Sequence, residues 1–322
     1  MRVLLISDHR YPAFGASGTG LHPREYPSGS SYYLHDLIAL GLVEEGHEVF
    51  YHLMDGVASP LPAGVKLVSD ALPEVDICHS LVRPPGLQKK AARIASRLRV
   101  PCLLTCHKVQ PRSIAQANWV FVSRAHANAY GGCRVVLNGI HPDDFSFSET
   151  KQDYLLFMSA MERAIGKGLQ RALELSIRKG FRLIVAGTAR DYETISRISA
   201  MCAAAGAEYV GDVRGREKAE LMAGARALLF PSRFTEGCPL VILEAMLSGT
   251  PVISSACGGS VEIVTPETGF LCDTDDEWLN AIDHLDKISP ARCREVGLQN
   301  FHYRRMVRDY IGQYEREIGG RQ

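Results

Sequence analysis

The segment FPSRFTEGCPLVILEAMLSGTPVISSACGG, Phe230 to Gly259, decides how the chain is read. It opens on the end of an apolar run, Ala227 to Pro231, and closes on a second, Pro251 to Ser255, with an apolar helix between them. Strand, helix and strand in that order imply parallel pairing through a crossover. Glu236 and Gly237 follow the first strand, and Pro239 reads as the first helical position, where its missing N–H costs nothing. The N–H groups of Cys238, Leu240 and Val241 then lie at a helix start, at the positive end of its dipole, which suits a phosphate. Glu244 is the only charge in that helix. A buried carboxylate needs partners. Its two acceptor oxygens suit two neighbouring hydroxyls, such as those of a ribose, or an arginine or a loop cap.

Working outward, the same alternation recurs on both sides. Ahead of the segment, strands are expected at Tyr154 to Ser159, Arg182 to Gly187 and Glu208 to Val213, separated by helices of about a dozen residues. Nearer the start, strands are expected at Arg2 to Ser7, His47 to Leu53, Val65 to Ser69, Asp76 to Leu81, Pro101 to His107, Trp119 to Ser123 and Cys133 to Asn138. Helices are expected from Ser30 to Gly46 and from Leu87 to Arg99. The polar, period-free stretch IHPDDFSFSETKQD separates the two series and reads as a linker. The fold class is therefore α/β, with two tandem doubly wound, Rossmann-like domains, residues 1-148 and 149-322. Ligands of such sheets bind at the carboxyl ends of the strands.

Composition narrows the function. At 322 residues with 46% hydrophobic and 22% charged residues, the chain has enough apolar material for large cores, which excludes a disordered or fibrous protein. Thirty-six basic residues balance thirty-six acidic ones, so the positive field of a general nucleic-acid binder is absent. The opening MRVLLISDHR turns polar too soon for a signal peptide, and no apolar run reaches the length of a membrane span. A cytoplasmic location is expected. The nine cysteines are an odd number set mostly in apolar segments, which suits reduced, packed thiols. Cys102, Cys106 and His107 fall in one strand with no second ligand pair, so no metal is expected there.

Glu236 and Glu244, with seven residues between them in EGCPLVILEAMLSGTPVI, resemble the hallmark of retaining glycosyltransferases of family 4, which have the two-domain GT-B fold. GTPVISSACGGSVEIV, with the pair Gly258 and Gly259, resembles the family's segment after the second glutamate. EYVGDVRGREKAELMAGARALLFPS, with Val213, resembles the segment that closes the nucleobase pocket. Lys167 and Gly168 match a lysine and glycine that begin a helix, and VLNGIHPDDF resembles the tail of the first domain. SGSSYYLHDLIALGLVEEGHEV, with Gly29 and Ser30, resembles the first helix, and TCHK places His107 at a strand end where the family often has a histidine. The resemblance is strong from Tyr154 to Cys272 and thinner before it.

The resemblance implies transfer of a sugar from a nucleoside diphosphate sugar to an acceptor hydroxyl with retained configuration, two domains facing a central cleft, and a last helix that crosses back onto the first domain. It implies no metal and no cofactor, with a UDP-sugar as the favoured donor and a glycan, lipid-linked or small-molecule acceptor. His107 and Glu236 would position the sugar, Lys167 and the amides from Gly237 to Val241 would hold the diphosphate, and Glu244 the ribose. Four positions depart from the pattern. Ser28 stands where the first helix usually begins with glycine, Ser159 and Ala160 stand for a glycine and a phosphate-binding arginine, and His141 replaces an aspartate. Arg163, in a loop about two residues longer than usual, is the candidate replacement cation.

Ser28 and Ala160 support an alternative: a weak or inactive protein that binds the nucleotide sugar without turnover. A nicotinamide dehydrogenase is excluded because GASGTG, in a long loop after the first strand, has the wrong glycine spacing. The basic helix LQKKAARIASRLR reads as a solvated face, with weak contact to an anionic membrane surface as its other reading.

Overall fold

The computed structural model describes residues 1–8, 30–53, 64–108 and 115–320. They form two compact units, Met1–His141 with Phe301–Gln322, and Pro142–Asn300. The sequence reading divides the chain at 148/149; in the structure the division falls at 141/142, and the chain from Phe301 belongs to the first unit.

The first unit holds a six-stranded parallel sheet of β1 (Arg2–Ile6), β2 (Glu48–His52), β3 (Val65–Val68), β4 (Ile77–Leu81), β5 (Cys102–Cys106) and β6 (Trp119–Phe121), in the order β3-β2-β1-β4-β5-β6. Helix α1 (Ser30–Glu44) lies between β1 and β2, α2 (Pro85–Leu98) between β4 and β5, and α3 (Arg124–Asn128) follows β6. Every residue of β4 is buried, as expected for a strand covered on both faces. In α2, Leu87, Ala91, Ile94 and Ala95 turn inward while Lys89, Arg93 and Arg97 stay outside the core, so the basic stretch is a solvated helix face.

The second unit repeats this plan with β7 (Leu155–Met158), β8 (Leu183–Ala186), β9 (Glu208–Gly211), β10 (Ala227–Phe230), β11 (Val252–Ser255) and β12 (Gly269–Cys272), ordered β12-β11-β10-β7-β8-β9. Its helices are α4 (Leu169–Lys179), α5 (Tyr192–Ala204), α6 (Gly215–Gly224), α7 (Leu240–Leu247), α8 (Ser260–Ile263), α9 (Asp275–Asp283) and α10 (Pro290–Phe301). A last helix, α11 (Tyr303–Gly319), packs on α1 and β5 of the first unit.

Two strand expectations change. β12, a four-residue GFLC run, was not anticipated; its pairing with β11 makes it a strand. Cys133 to Asn138 is not a strand, because after a single bridge between Phe121 and Val135 the chain leaves the sheet, and the Gly139 amide turns to Met306 of α11. The expected linker is also packed structure. Phe147 lies under the Arg294 guanidinium, and the Lys151 ammonium donates to the Ala223 carbonyl (2.7 Å) and Thr250 Oγ1 (3.1 Å). Burial lowers the Lys151 pKa to about 8. None of the nine cysteines is in a disulfide. Among the described residues no helix is long and apolar enough to cross a membrane.

A buried polar chain ties α11 to the first sheet. Tyr314 Oη lies 2.7 Å from His79 Nδ1, His79 Nε2 lies 2.8 Å from Thr105 Oγ1, and Thr105 Oγ1 lies 2.8 Å from Tyr310 Oη. A neutral imidazole satisfies the chain in either direction: Tyr314 donates to Nδ1 while Nε2–H donates to Thr105, or Thr105 donates to Nε2 while Nδ1–H donates to Tyr314. Burial, with His107 nearby, lowers the His79 pKa from 6.5 to about 3. The unfolded chain therefore binds a proton that the native state refuses, and stability present above pH 6.5 is lost as pH falls toward 3. Between pH 7 and pH 5 the share of His79 is on the order of 2 kcal/mol. Urea unfolding of the wild type should lose stability over that interval more steeply than His79→Gln; parallel losses would refute the neutral histidine.

Candidate functional site

In the second sheet the strand order reverses between β7 and β10, so the loops after these two strands part on either side of a crevice at the carboxyl edge. Both loops carry residues singled out from the sequence. After β7 the chain makes a short helical turn, Met161–Arg163, and reaches Lys167 and Gly168. After β10 it runs through Pro231 and Ser232 to Glu236, Gly237, Cys238 and Pro239, and α7 begins.

The two loops are held by close backbone approach. Gly168 has φ +87°, and a Cβ there would lie 1.9 Å from the Pro231 carbonyl oxygen. The Arg233 amide donates to the Gly166 carbonyl (3.0 Å). On the other side, the Gly259 amide donates to the Glu236 carbonyl (2.8 Å), and a Cβ at Gly259 would lie 1.9 Å from the Gly237 carbonyl oxygen. Only glycine permits either approach. Lys167 Nζ forms an ion pair with Glu236 Oε1 and lies 5.5 Å from the Phe230 ring centroid.

Pro239 occupies the N-cap of α7 and Leu240 the first helical position, which corrects the expectation by one residue. No side chain caps this end, so the first-turn amides of Leu240 and Val241 remain available to an anion. Glu244 lies on the second turn, with 13% of its side chain exposed. Its protein partner is Lys218 of α6, with Nζ 2.8 Å from Oε2, in place of the arginine or loop cap considered from sequence. Val213 is buried just before α6, beyond the end of β9. Arg163 is exposed and has no ion pair among the described residues.

Of the first-unit candidates, His107 follows β5 and is partly exposed. Burial of its ring, then His126, lowers its pKa to about 3, so the imidazole is neutral. Ser30 opens α1, and Ser28 and Gly29 lie outside the described residues. The structure thus brings together Lys167, Glu236, the amide turn and Glu244 in one unit, with His107 in the other. Lys218 was not singled out, since it sits among Arg214, Arg216, Glu217 and Glu220, a run that reads as a solvated face. Among the described residues no three His, Cys, Asp or Glu side chains are grouped as metal ligands.

Comparison with known proteins finds likeness in the same place. Residues 152–287, all within the second unit, match the family described as Glycosyl transferases group 1. A GDP-mannose-dependent monoacylated alpha-(1-6)-phosphatidylinositol monomannoside mannosyltransferase of Corynebacterium glutamicum is 30% identical over 108 residues, which cover 32% of this chain and 28% of that protein. The chain therefore spans little more than a quarter of that relative. Among solved structures, AviGT4, a glycosyltransferase involved in avilamycin A biosynthesis, is 23% identical, with a TM-score of 0.74 over 99% of this chain and 98% of that one. HepE of Anabaena, solved with UDP and glucose, is 15% identical, with a TM-score of 0.71 over 97% of this chain and 99% of that one. The two parallel six-stranded sheets with their helices match GT-B structures, which bears out the expected fold class.

The glycine contacts predict a graded response. Gly180, the C-cap of α4, has φ +70° and open space where a Cβ would stand, with nothing within 4 Å, so Gly180→Ala should cost only the backbone strain, about 1 kcal/mol. Gly168→Ala adds a clash with backbone and should cost at least about 2 kcal/mol more. Thermal unfolding of the two variants checks this; equal losses would show that the Gly168–Pro231 approach is relieved cheaply.

Proposed function

We propose that the chain is a glycosyltransferase that moves a sugar from a nucleoside diphosphate sugar to an acceptor hydroxyl with retention of anomeric configuration. The observation that carries this reading is the grouping of Lys167, the Glu236–Val241 turn and Glu244 around the β7/β10 crevice. It offers a cation and amides for a diphosphate and a carboxylate for ribose hydroxyls. The matched family, the mannosyltransferase and the UDP-bound likeness support a sugar nucleotide as donor. A UDP-sugar is the favoured donor, and the acceptor is a glycan, a lipid-linked molecule or a small molecule.

In this reading the charge that develops on the leaving diphosphate is met by Lys167, by the amides at the start of α7 and by Arg163 from its exposed turn. Lys167 and Glu236 neutralise each other before the donor arrives. The donor phosphates take over the ammonium, and the freed Glu236 carboxylate accepts from sugar hydroxyls. His107, held neutral, is assigned to the sugar as well. The departing phosphate takes the acceptor proton, so neither glutamate acts as nucleophile. No metal and no cofactor are assigned a part.

A second reading keeps donor binding and removes turnover. It is favoured by Ser28 and Ala160, the latter leaving exposed Arg163 as the candidate replacement for a diphosphate arginine. Tight donor binding with only slow nucleotide release, whatever acceptor is supplied, would select it.

A thermal-shift panel of nucleoside diphosphates and their sugars tests the donor, since a ligand of the native state raises the melting temperature by mass action. Lys167→Ala should weaken UDP or GDP binding about 10- to 100-fold and leave the weak binding of the free nucleoside unchanged. Equal behaviour of nucleotide and nucleoside in both proteins would refute the diphosphate assignment. Turnover should survive EDTA, and its loss on chelation would refute the metal-free mechanism.

A further inference from the structure

Lys218 stands apart from every residue so far assigned a role. It lies in the first turn of α6, and its ammonium reaches Glu244 on a different helix, with Nζ 2.8 Å from Oε2. The carboxylate is 13% exposed and the lysine side chain 32% exposed, so the pair is largely withdrawn from water but open on the lysine side. Leu243, Ala245 and Met246 beside Glu244 are fully buried, and α7 contributes no other charge. Among the described residues Glu244 has no second ion pair and no other side-chain hydrogen bond, so Oε1 is left for a donor from outside the protein.

We propose that Lys218 is a positioning and specificity-determining residue that sets Glu244 to select a ribonucleotide over a deoxyribonucleotide. This rests on the reading that Glu244 receives a ribose. A glutamate has three rotatable bonds, and an apolar helix surface offers nothing to hold its carboxylate in one orientation. The ammonium on Oε2 supplies that hold and balances a charge that would otherwise be isolated beside the core. Oε1 then accepts from a ribose hydroxyl. The two remaining N–H donors of Lys218 can satisfy hydroxyl lone pairs that a carboxylate cannot. Each hydroxyl meets both an acceptor and a donor, and a sugar lacking the 2′-hydroxyl leaves charged groups unsatisfied.

Calorimetric titration with UDP, GDP and their 2′-deoxy counterparts tests this. The wild type should prefer the ribonucleotide by about 10- to 100-fold, as expected for a hydrogen bond to a charged group. Lys218→Met and Lys218→Gln should bind the ribonucleotide at least about 10-fold more weakly and lose most of that preference, while Lys218→Arg retains it. The Gln variant keeps a polar side chain at the site and guards against a misfolded Met variant. If Glu244→Gln loses the preference while both lysine variants keep it, the ribose reading stands and the role of Lys218 is overturned. If the wild type shows no preference, or binds no nucleoside diphosphate, the ribose reading falls and takes this inference with it.

Discussion

The second unit is organised around a constraint of charge. A carboxylate beside an apolar core must find a counter-charge or hydrogen-bond donors, because its desolvation is too costly otherwise. Two glutamates face that requirement within a short stretch of chain, and each meets it with a lysine from another segment. Glu236 takes Lys167 from the loop after β7, and Glu244 takes Lys218 from α6. These pairs couple α7 and the loop that leads into it to the loop after β7 and to α6.

Close packing of backbone sets the position of those charges. Gly168 and Glu236 are far apart in sequence, yet the Gly168–Pro231 and Gly259–Gly237 approaches put three loops of one sheet edge in contact. Parallel strands make this geometry available, since all their carboxyl ends lie on one edge, and the reversal of strand order opens it. The helix start of α7 adds amides without adding a charge that would itself need burial.

The first unit meets the same requirement differently. Its central strands bury His79 and Thr105, and α11 supplies Tyr310 and Tyr314 to satisfy them. The residues that complete this polar chain lie more than two hundred positions away, which explains why a C-terminal helix belongs to the N-terminal unit. Arg134 extends the connection through Gln313 and Glu317. The last helix is thus fastened to the first sheet by polar groups.

Much of this was legible in the amino-acid order. Strand and helix periodicity, the glutamate spacing and the glycines of Lys167–Gly168 and Gly258–Gly259 are local patterns, and local patterns follow from backbone preference and burial over short spans. Elements that depend on a neighbour were not legible. GFLC is too short to declare itself and becomes β12 only beside β11, whereas Cys133 to Asn138 has the look of a strand but leaves the sheet after one bridge. The sequence marks Arg163 as a candidate cation and passes over Lys218; only the fold leaves the first exposed and sets the second on Glu244. The sequence by itself therefore determined that the chain forms two parallel α/β units and that a carboxylate in α7 would need a partner. Which side chain partners it was decided by tertiary structure, because an ion pair depends on distances across helices that no sequence spacing encodes.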